Sequence, residues 1–159
     1  MGKQARAIAD VSLKELVHDL NKAYADEWLA FYLYWYMAQM VSGRAYEDIQ
    51  EFLNKIAKDE LEHAQELADH IIKLGGAPIA NPMELEKHAN SPYMIPPKNS
   101  ADINRIIRIV TEAEAGAIEV YNKIAKKTFG KDHVTYQLIT HILSEEVDHE
   151  ETFENLLER

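Results

Sequence analysis

Two Glu-x-x-His motifs are the residues of this sequence best suited to carry chemistry. The motifs are Glu60 with His63 and Glu146 with His149. Because residues three apart share one face of a helix, each motif presents a carboxylate beside an imidazole. Two further acids, Glu27 and Glu114, fall where an apolar helix face would otherwise continue. A buried carboxylate is unfavourable unless positive charge compensates it, so four acids and two imidazoles in one core indicate a site for two divalent metal ions.

The elements that must position these residues are four amphipathic helices. Apolar residues recur at alternating steps of three and four in four segments, as on one face of a helix. One of the four acids interrupts each face, and a motif histidine follows in the second and fourth. We predict helices from Leu13 to about 42, from about 45 to 74, from a Ser100 cap to near Gly130, and from an Asp132 cap almost to the C-terminus.

The four acids are predicted to lie at one level of a bundle. Residues equidistant from the turn of an antiparallel hairpin face each other. Gly43 lies midway, to within one residue, between the acids of the first hairpin, and Gly130 lies midway between those of the second. Residues 75–100 hold all five prolines and join the hairpins. The sequence therefore predicts an all-α four-helix bundle with one long crossover between the second and third helices.

Composition restricts the class of protein. The 159 residues are 47% hydrophobic and 28% charged, which favours one globular domain over residues 1–159, with residues 1–11 as an N-terminal tail. A net charge of −10 argues against nucleic-acid binding. The lack of cysteine excludes disulfides, thiolate ligands and cysteine catalysis, and it fits a reducing cytoplasm. We expect no membrane span and no signal peptide, because no apolar run is long enough.

A second apolar stripe on the first helix predicts self-association. Trp28, Tyr32 and Trp35 lie away from the face that carries Glu27. A helix that is apolar on two faces is usually buried on both. In a four-helix bundle another subunit must cover the outer face, so we expect a homo-oligomer.

The predicted metal ligands are Glu27, Glu60, His63, Glu114, Glu146 and His149. The two motif glutamates can bridge two metals, and the other four residues can complete the two ends. Oxygen and imidazole ligands suit iron or manganese, with zinc as a competitor in vitro. In the third helix Glu112, two residues before Glu114, would replace it under a small register shift. Its own face is charged, so the periodicity favours Glu114.

Three further residues lie on the same faces as the acids. Tyr34 and Tyr121 each follow an acid by two turns. We interpret Tyr121 as core packing with a satisfied hydroxyl, whereas Tyr34 could instead donate an electron when the metal site meets oxidant. His70 is interpreted as a core or pore histidine and not as a ligand. The remaining histidines have no ligand spacing.

With these motifs the chain resembles the ferritin superfamily, nearest to Dps-like proteins that carry a bacterioferritin-type di-iron site. The resemblance runs from about residue 13 to 157. It rests on Glu27 with Tyr34, Glu60-x-x-His63, Glu114 within Ala113–Tyr121, Glu146-x-x-His149 and Leu74–Pro78. It implies a ferritin-like bundle with two iron ions per subunit. It also implies a ferroxidase that oxidises Fe(II) with hydrogen peroxide or dioxygen and stores ferric mineral in a hollow dodecamer.

Departures from the family pattern refine that expectation. Leu61 stands where bacterioferritins place a haem-ligating methionine, so we expect no haem. Gln65 and Asp69 stand where Dps proteins place the acids of a site shared between subunits, so we do not expect that site. The alternative function is a di-iron or di-manganese peroxidase or catalase of rubrerythrin or manganese-catalase type. The third possible function is that of a helical bundle in which bound metal has only a structural role.

Overall fold

The computed structural model describes residues 3–44 and 46–157, and the regular elements of those residues are all helical. In chain order the α-helices are α1 (Lys3–Ile8), α2 (Leu13–Met40), α3 (Tyr46–Lys73), α4 (Leu85–His88), α5 (Ile103–Thr128) and α6 (His133–Leu157). A 3₁₀ turn, Pro82–Glu84, precedes α4. The long helices end within about two residues of their predicted ends, a normal margin for helix termini. The predicted start at residue 45 lies outside the described residues.

The four long helices form two antiparallel hairpins. The most extensive packing joins α2 to α3 and α5 to α6, and smaller contacts of α2 with α5 and of α3 with α6 join the hairpins. The crossover between α3 and α5 packs through α4 against α2. The predicted four-helix bundle with one long crossover is therefore confirmed.

Helix caps agree with the sequence except at the start of α5. The side chain of Asp132 caps α6 as predicted, because it accepts a hydrogen bond from the backbone N–H of Thr135. The side chain of Ser12 caps α2 in the same way through the N–H of Glu15.

At α5 the side chain of Asp102 accepts a hydrogen bond from the backbone N–H of Arg105 at 3.0 Å, so the prediction that Ser100 is the cap is wrong. Ser100 instead accepts a hydrogen bond at its carbonyl from the N–H of Ser42. Both are good capping residues by type, but Ser100 lies in the preceding turn, where its backbone contacts the first hairpin turn.

The N-terminal tail carries α1, which the sequence did not predict. The tail packs on one end of the bundle, because the backbone N–H of Asp10 donates to the carbonyl of Lys131 at 2.9 Å. Gly75, with a positive φ of 88°, lies directly against Arg6: a Cβ there would lie 2.9 Å from its guanidinium. A glycine at the end of α3 thus stops the helix and makes room for the tail.

The core consists of two apolar clusters with the acids between them. One cluster includes Leu33, Leu53, Val110 and Phe153. The other includes Leu20, Leu67, Ile124 and Ile142. Along each long helix the acid falls between the residues of one cluster and those of the other. The apolar clusters fix the positions of the helices, and the helices hold the acid layer in place.

The second stripe of α2 lies at the surface. Tyr32 is 52% exposed, Trp35 is 43% exposed and Trp28 is partly buried. The two exposed rings pack against each other with centroids 6.0 Å apart. Within the described residues, no helix is both long enough and apolar enough to cross a membrane.

Candidate metal centre

The six predicted ligand side chains lie together in the layer between the clusters. Their exposed fractions range from 1% to 8%. They are Glu27 on α2, Glu60 and His63 on α3, Glu114 on α5, and Glu146 and His149 on α6. Each long helix therefore contributes to one buried polar layer, as expected from acids level on four helices.

The six residues form two overlapping groups with the geometry to hold a cation. One group contains Glu27, Glu60, His63 and Glu146, and the other contains Glu60, Glu114, Glu146 and His149. Within each group one potential ligand atom from every residue lies within 4.8 Å of the others. Glu60 and Glu146 belong to both groups, so their carboxylates lie where bridging ligands would be needed.

Several donor atoms in this layer have no hydrogen-bond partner within the described part of the chain. They are Glu60 Oε1, Glu114 Oε2, Glu146 Oε1, His63 Nδ1 and His149 Nδ1. His63 Nδ1 lies 3.1 Å from Glu146 Oε1, but the two atoms are not oriented as a hydrogen bond. Buried polar atoms without partners are costly. Two divalent cations would satisfy all five atoms, so the donor set fits such ions.

Burial and mutual repulsion raise the pKa of two of the acids. The pKa of Glu60 lies well above its ordinary value, first because of burial and then because of the neighbouring carboxylates. Burial also raises the pKa of Glu114 to about 8, although His149 opposes the shift. Without metal, Glu114 therefore retains its proton near neutral pH.

The imidazoles and Glu146 compensate one another. Burial acts to lower the pKa of His149, but Glu114 and Glu146 outweigh it and raise that pKa to about 10. The neighbouring carboxylates likewise outweigh burial and raise the pKa of His63. Burial acts to raise the pKa of Glu146, but the histidines outweigh it and lower that pKa to about 2. In the metal-free layer, bound protons therefore reduce the repulsion between the acids, and a bound cation would displace those protons.

Two acids outside the predicted set orient the histidines. The Nε2 of His63 lies 2.7 Å from Oε2 of Glu145, and the Nε2 of His149 lies 3.2 Å from Oδ2 of Asp59. Each bond turns the other ring nitrogen, Nδ1, towards the buried acids. Acceptors of this kind fix the orientation of a histidine that binds metal. The sequence contains a signal for these two acids, because an acid directly precedes the glutamate of each Glu-x-x-His motif.

Tyr34 and Tyr121 donate hydrogen bonds to the two acids that lie outside the motifs. The hydroxyl of Tyr34 donates to Oε1 of Glu114 at 2.5 Å, and that of Tyr121 donates to Glu27. Burial raises the pKa of both phenols well above the ordinary value, so both hydroxyls stay protonated and donate. The two hydroxyls therefore make equivalent contacts with the acids, and these contacts do not test the role in electron donation that the sequence suggested for Tyr34.

The other candidate residues lie outside both groups. Glu112 is exposed, whereas Glu114, two residues further on, is 1% exposed. His70 is buried, and its Nε2 lies 2.7 Å from the hydroxyl of Thr135. That hydroxyl donates to Asp132, so it accepts from His70, whose Nε2 must carry the proton. His70 is thus a hydrogen-bonded core histidine.

Comparison with known proteins agrees with this geometry. The family profile described as a ferritin-like domain matches residues 17–159. A DNA protection during starvation protein from Pyrococcus furiosus is 33% identical over 147 residues, which cover 92% of this chain and 79% of the relative.

Solved structures give the same result. The dodecameric thioferritin of Bacteroides fragilis, a bacterioferritin-related protein, superposes with a TM-score of 0.93 at 34% identity, over 98% of this chain and 93% of that one. An archaeal Dps homologue from Halobacterium salinarum shares the fold, with a TM-score of 0.83 at 23% identity over 94% and 87% of the two chains. The profile match and the identity to the Pyrococcus relative show that this chain belongs to the ferritin-like domain family.

Proposed function

We propose that this protein is a ferroxidase that oxidises Fe(II) with hydrogen peroxide or dioxygen and retains the ferric product. The observation that supports this most directly is the pair of overlapping cation-holding groups that share Glu60 and Glu146. Iron is the substrate, and two Fe(II) ions per chain would occupy the two groups. Glu27 with His63 and Glu114 with His149 would complete the two ends.

Two adjacent iron positions suit the chemistry of peroxide. Each Fe(II) gives one electron, and the O–O bond of one hydrogen peroxide accepts both and breaks to give two hydroxide ions. Because both electrons arrive together, no hydroxyl radical is released. A single Fe(II) would supply only one electron, whereas a paired site supplies the two electrons that one peroxide molecule needs.

The donor set favours iron or manganese. Carboxylate oxygens with one imidazole per group are suitable ligands for either ion, and zinc would compete in vitro. Haem is not part of the proposal, since the side chain of Leu61 offers no axial ligand.

Storage would require an assembly, and α2 offers a surface for it. The exposed aromatic rings of Tyr32, Trp35 and Tyr36 lie together on its outer face. The similar thioferritin of Bacteroides fragilis is dodecameric, and we propose the same number of subunits here. The net charge of −10 would favour the entry of cations into such a shell.

The proposal is tested by Fe(II) oxidation in the assembled protein, measured by stopped-flow absorbance, with retained iron measured after gel filtration. We expect rapid oxidation, faster with peroxide than with dioxygen, and retained ferric iron well above two ions per chain. Glu60→Ala should abolish the fast phase because it removes an acid shared by both groups. Glu62→Ala, on the exposed face of the same helix, should not.

A different result would identify the alternative. If peroxide is consumed catalytically and no iron beyond the two site ions is retained, the protein is a di-metal peroxidase or catalase. If neither iron nor peroxide reacts faster than in Glu60→Ala, both functions are wrong.

A further inference from the structure

A cavity of about 120 Å³ lies between α2 and α5 and reaches the acid layer. Its inner wall contains the site residues Glu27, Tyr34, Glu60, Glu114 and Glu146. Its outer wall includes Ser91 and Glu112, which are exposed. The cavity therefore connects the surface with the buried carboxylates and has room for several water molecules.

The unpartnered oxygens belong to acids that line this cavity. Glu60, Glu114 and Glu146 each have one buried oxygen without a hydrogen-bond partner in the described residues. Elsewhere the outer nitrogens of the histidines are covered by Glu145 and Asp59. The cavity is thus lined by the acids whose oxygens lack partners, whereas the outer nitrogens of the histidines are occupied by other acids.

Small residues keep the cavity open. Ala30 on α2 and Gly116 and Ala117 on α5 line its walls. A Cβ placed on Gly116 would meet no atom outside its own helix backbone within 4 Å. Glycine is otherwise unfavourable inside a helix, and here neither a positive φ nor close packing requires it. A side chain at this position would therefore fill free space in the cavity.

The crossover forms a fixed rim for this opening. Residues 91–94 line the cavity. The carboxylate of Asp26 accepts hydrogen bonds from the backbone N–H and the side-chain amide of Asn90, at 2.8 and 2.5 Å. The carboxylate of Glu86 accepts one from the N–H of Tyr93 at 3.1 Å. The rim is therefore held to α2 and cannot close the cavity without breaking these bonds.

We infer that Fe(II) and its small oxidant reach the site through this cleft, and that Gly116 keeps the route open. The inference rests on the proposed metal site. It assigns Gly116 a role in access and none in ligation. Filling the cleft should then slow the entry and exit of metal equally and leave the equilibrium affinity unchanged.

The test uses the assembled full-length protein and Co(II), which binds such sites without being oxidised by air. Association and chelator-induced dissociation are followed by stopped-flow absorbance, and affinity by equilibrium titration. In Gly116→Leu we expect both rates to fall at least about tenfold with Kd unchanged within about twofold, as for an access barrier. Val120→Phe, one turn further along the same wall, should show the same pattern.

Matched controls separate access from other effects. Gly116→Ala adds one methyl group and should slow both rates less than Gly116→Leu does. Asn122→Leu places the same leucine on an exposed part of α5 outside the cavity and should also have no effect. Wild-type rates in both Gly116→Leu and Val120→Phe would overturn the route alone, as would a changed Kd with an unchanged association rate. Failure of the wild-type chain to bind Co(II) would overturn the proposed metal site together with the route.

Discussion

The imidazole of His63 on α3 is held by Glu145 on α6, with 2.7 Å between Nε2 and Oε2. Glu145 directly precedes Glu146, whose own carboxylate lies on the other side of the same imidazole, 3.1 Å from Nδ1. Two consecutive acids of one helix thus face both nitrogens of a histidine on another. This bond fixes which nitrogen is available for metal.

Loss of Glu145 should weaken metal binding although Glu145 is not a proposed ligand. We expect Glu145→Ala to lower Mn(II) or Co(II) affinity by about 10- to 100-fold, since His63 loses the acceptor that orients it. Glu145→Gln keeps an acceptor and should recover much of the affinity. Isothermal titration calorimetry measures this, with Glu62→Ala as control. Equal affinity in Glu145→Ala and the wild type would show that packing alone orients His63.

The tyrosine pair should respond symmetrically. Tyr34→Phe and Tyr121→Phe each remove one hydrogen bond to a buried acid. The same bonds are present without metal, so each variant should lower metal affinity by only part of the about 1.5–3 kcal/mol that a bond to a charged group contributes. Competition with a coloured chelator gives both values. If Tyr34→Phe lowers the Fe(II) oxidation rate with affinity intact while Tyr121→Phe does not, Tyr34 acts as an electron donor.

Metal removal and Glu60→Gln should act in opposite directions on stability. In the metal-free protein the substitution removes a buried acid that its neighbours repel, so the melting temperature in chelator should rise. Metal at 100 times its Kd should add about 2.7 kcal/mol per bound ion to the wild-type free energy of unfolding by mass action. It should add much less to Glu60→Gln. Differential scanning calorimetry with and without Mn(II) compares them, and a metal-free variant less stable than the wild type would contradict the repulsion.

His70 should make stability depend on pH. Burial lowers its pKa below 6.5, with Lys73 adding to the effect and Asp132 opposing it. As the pH falls below about 6.5 the unfolded chain takes up a proton that the folded chain does not, so the free energy of unfolding decreases. His70→Gln lacks this contribution. Urea unfolding of the metal-free proteins at about pH 7.5 and about pH 5.5 should therefore show a smaller pH-dependent loss in the variant; parallel losses would exclude His70.

Charge on the aromatic face of α2 should disrupt assembly. Trp35→Glu places a carboxylate among exposed rings that we expect another subunit to cover. Light scattering of the wild type should give a mass near that of a dodecamer, and the variant should give monomers or small oligomers. Lys55→Glu, at another exposed site on α3, is the control. A monomeric wild type would contradict the cage.

The sequence was sufficient for the helices and for the level of the acids because both follow from periodicity along one chain. The start of α5 was not predicted correctly, because Ser100 and Asp102 are both suitable caps and Ser100 makes a contact with Ser42 that the local sequence does not encode. The partners of Tyr121 and His63 lie on other helices, and helix rotation in the packed bundle selects them. The helix in the tail depends on docking against the bundle end. Periodicity predicts which face of a helix is buried, but it does not predict which residue across the bundle is contacted.

The hydrogen bonds around the acid layer all cross from one hairpin to the other. Tyr34 and Glu145 belong to different hairpins, and each holds a residue of the opposite one. Tyr121 and Asp59 do the same in the reverse direction. The two hairpins therefore exchange corresponding bonds, as two halves related by a two-fold axis would, with Asp59 in the place of Glu145. The chain contains, in one polypeptide, the arrangement of a symmetric dimer, and a substitution in one half alters the ligands supplied by the other.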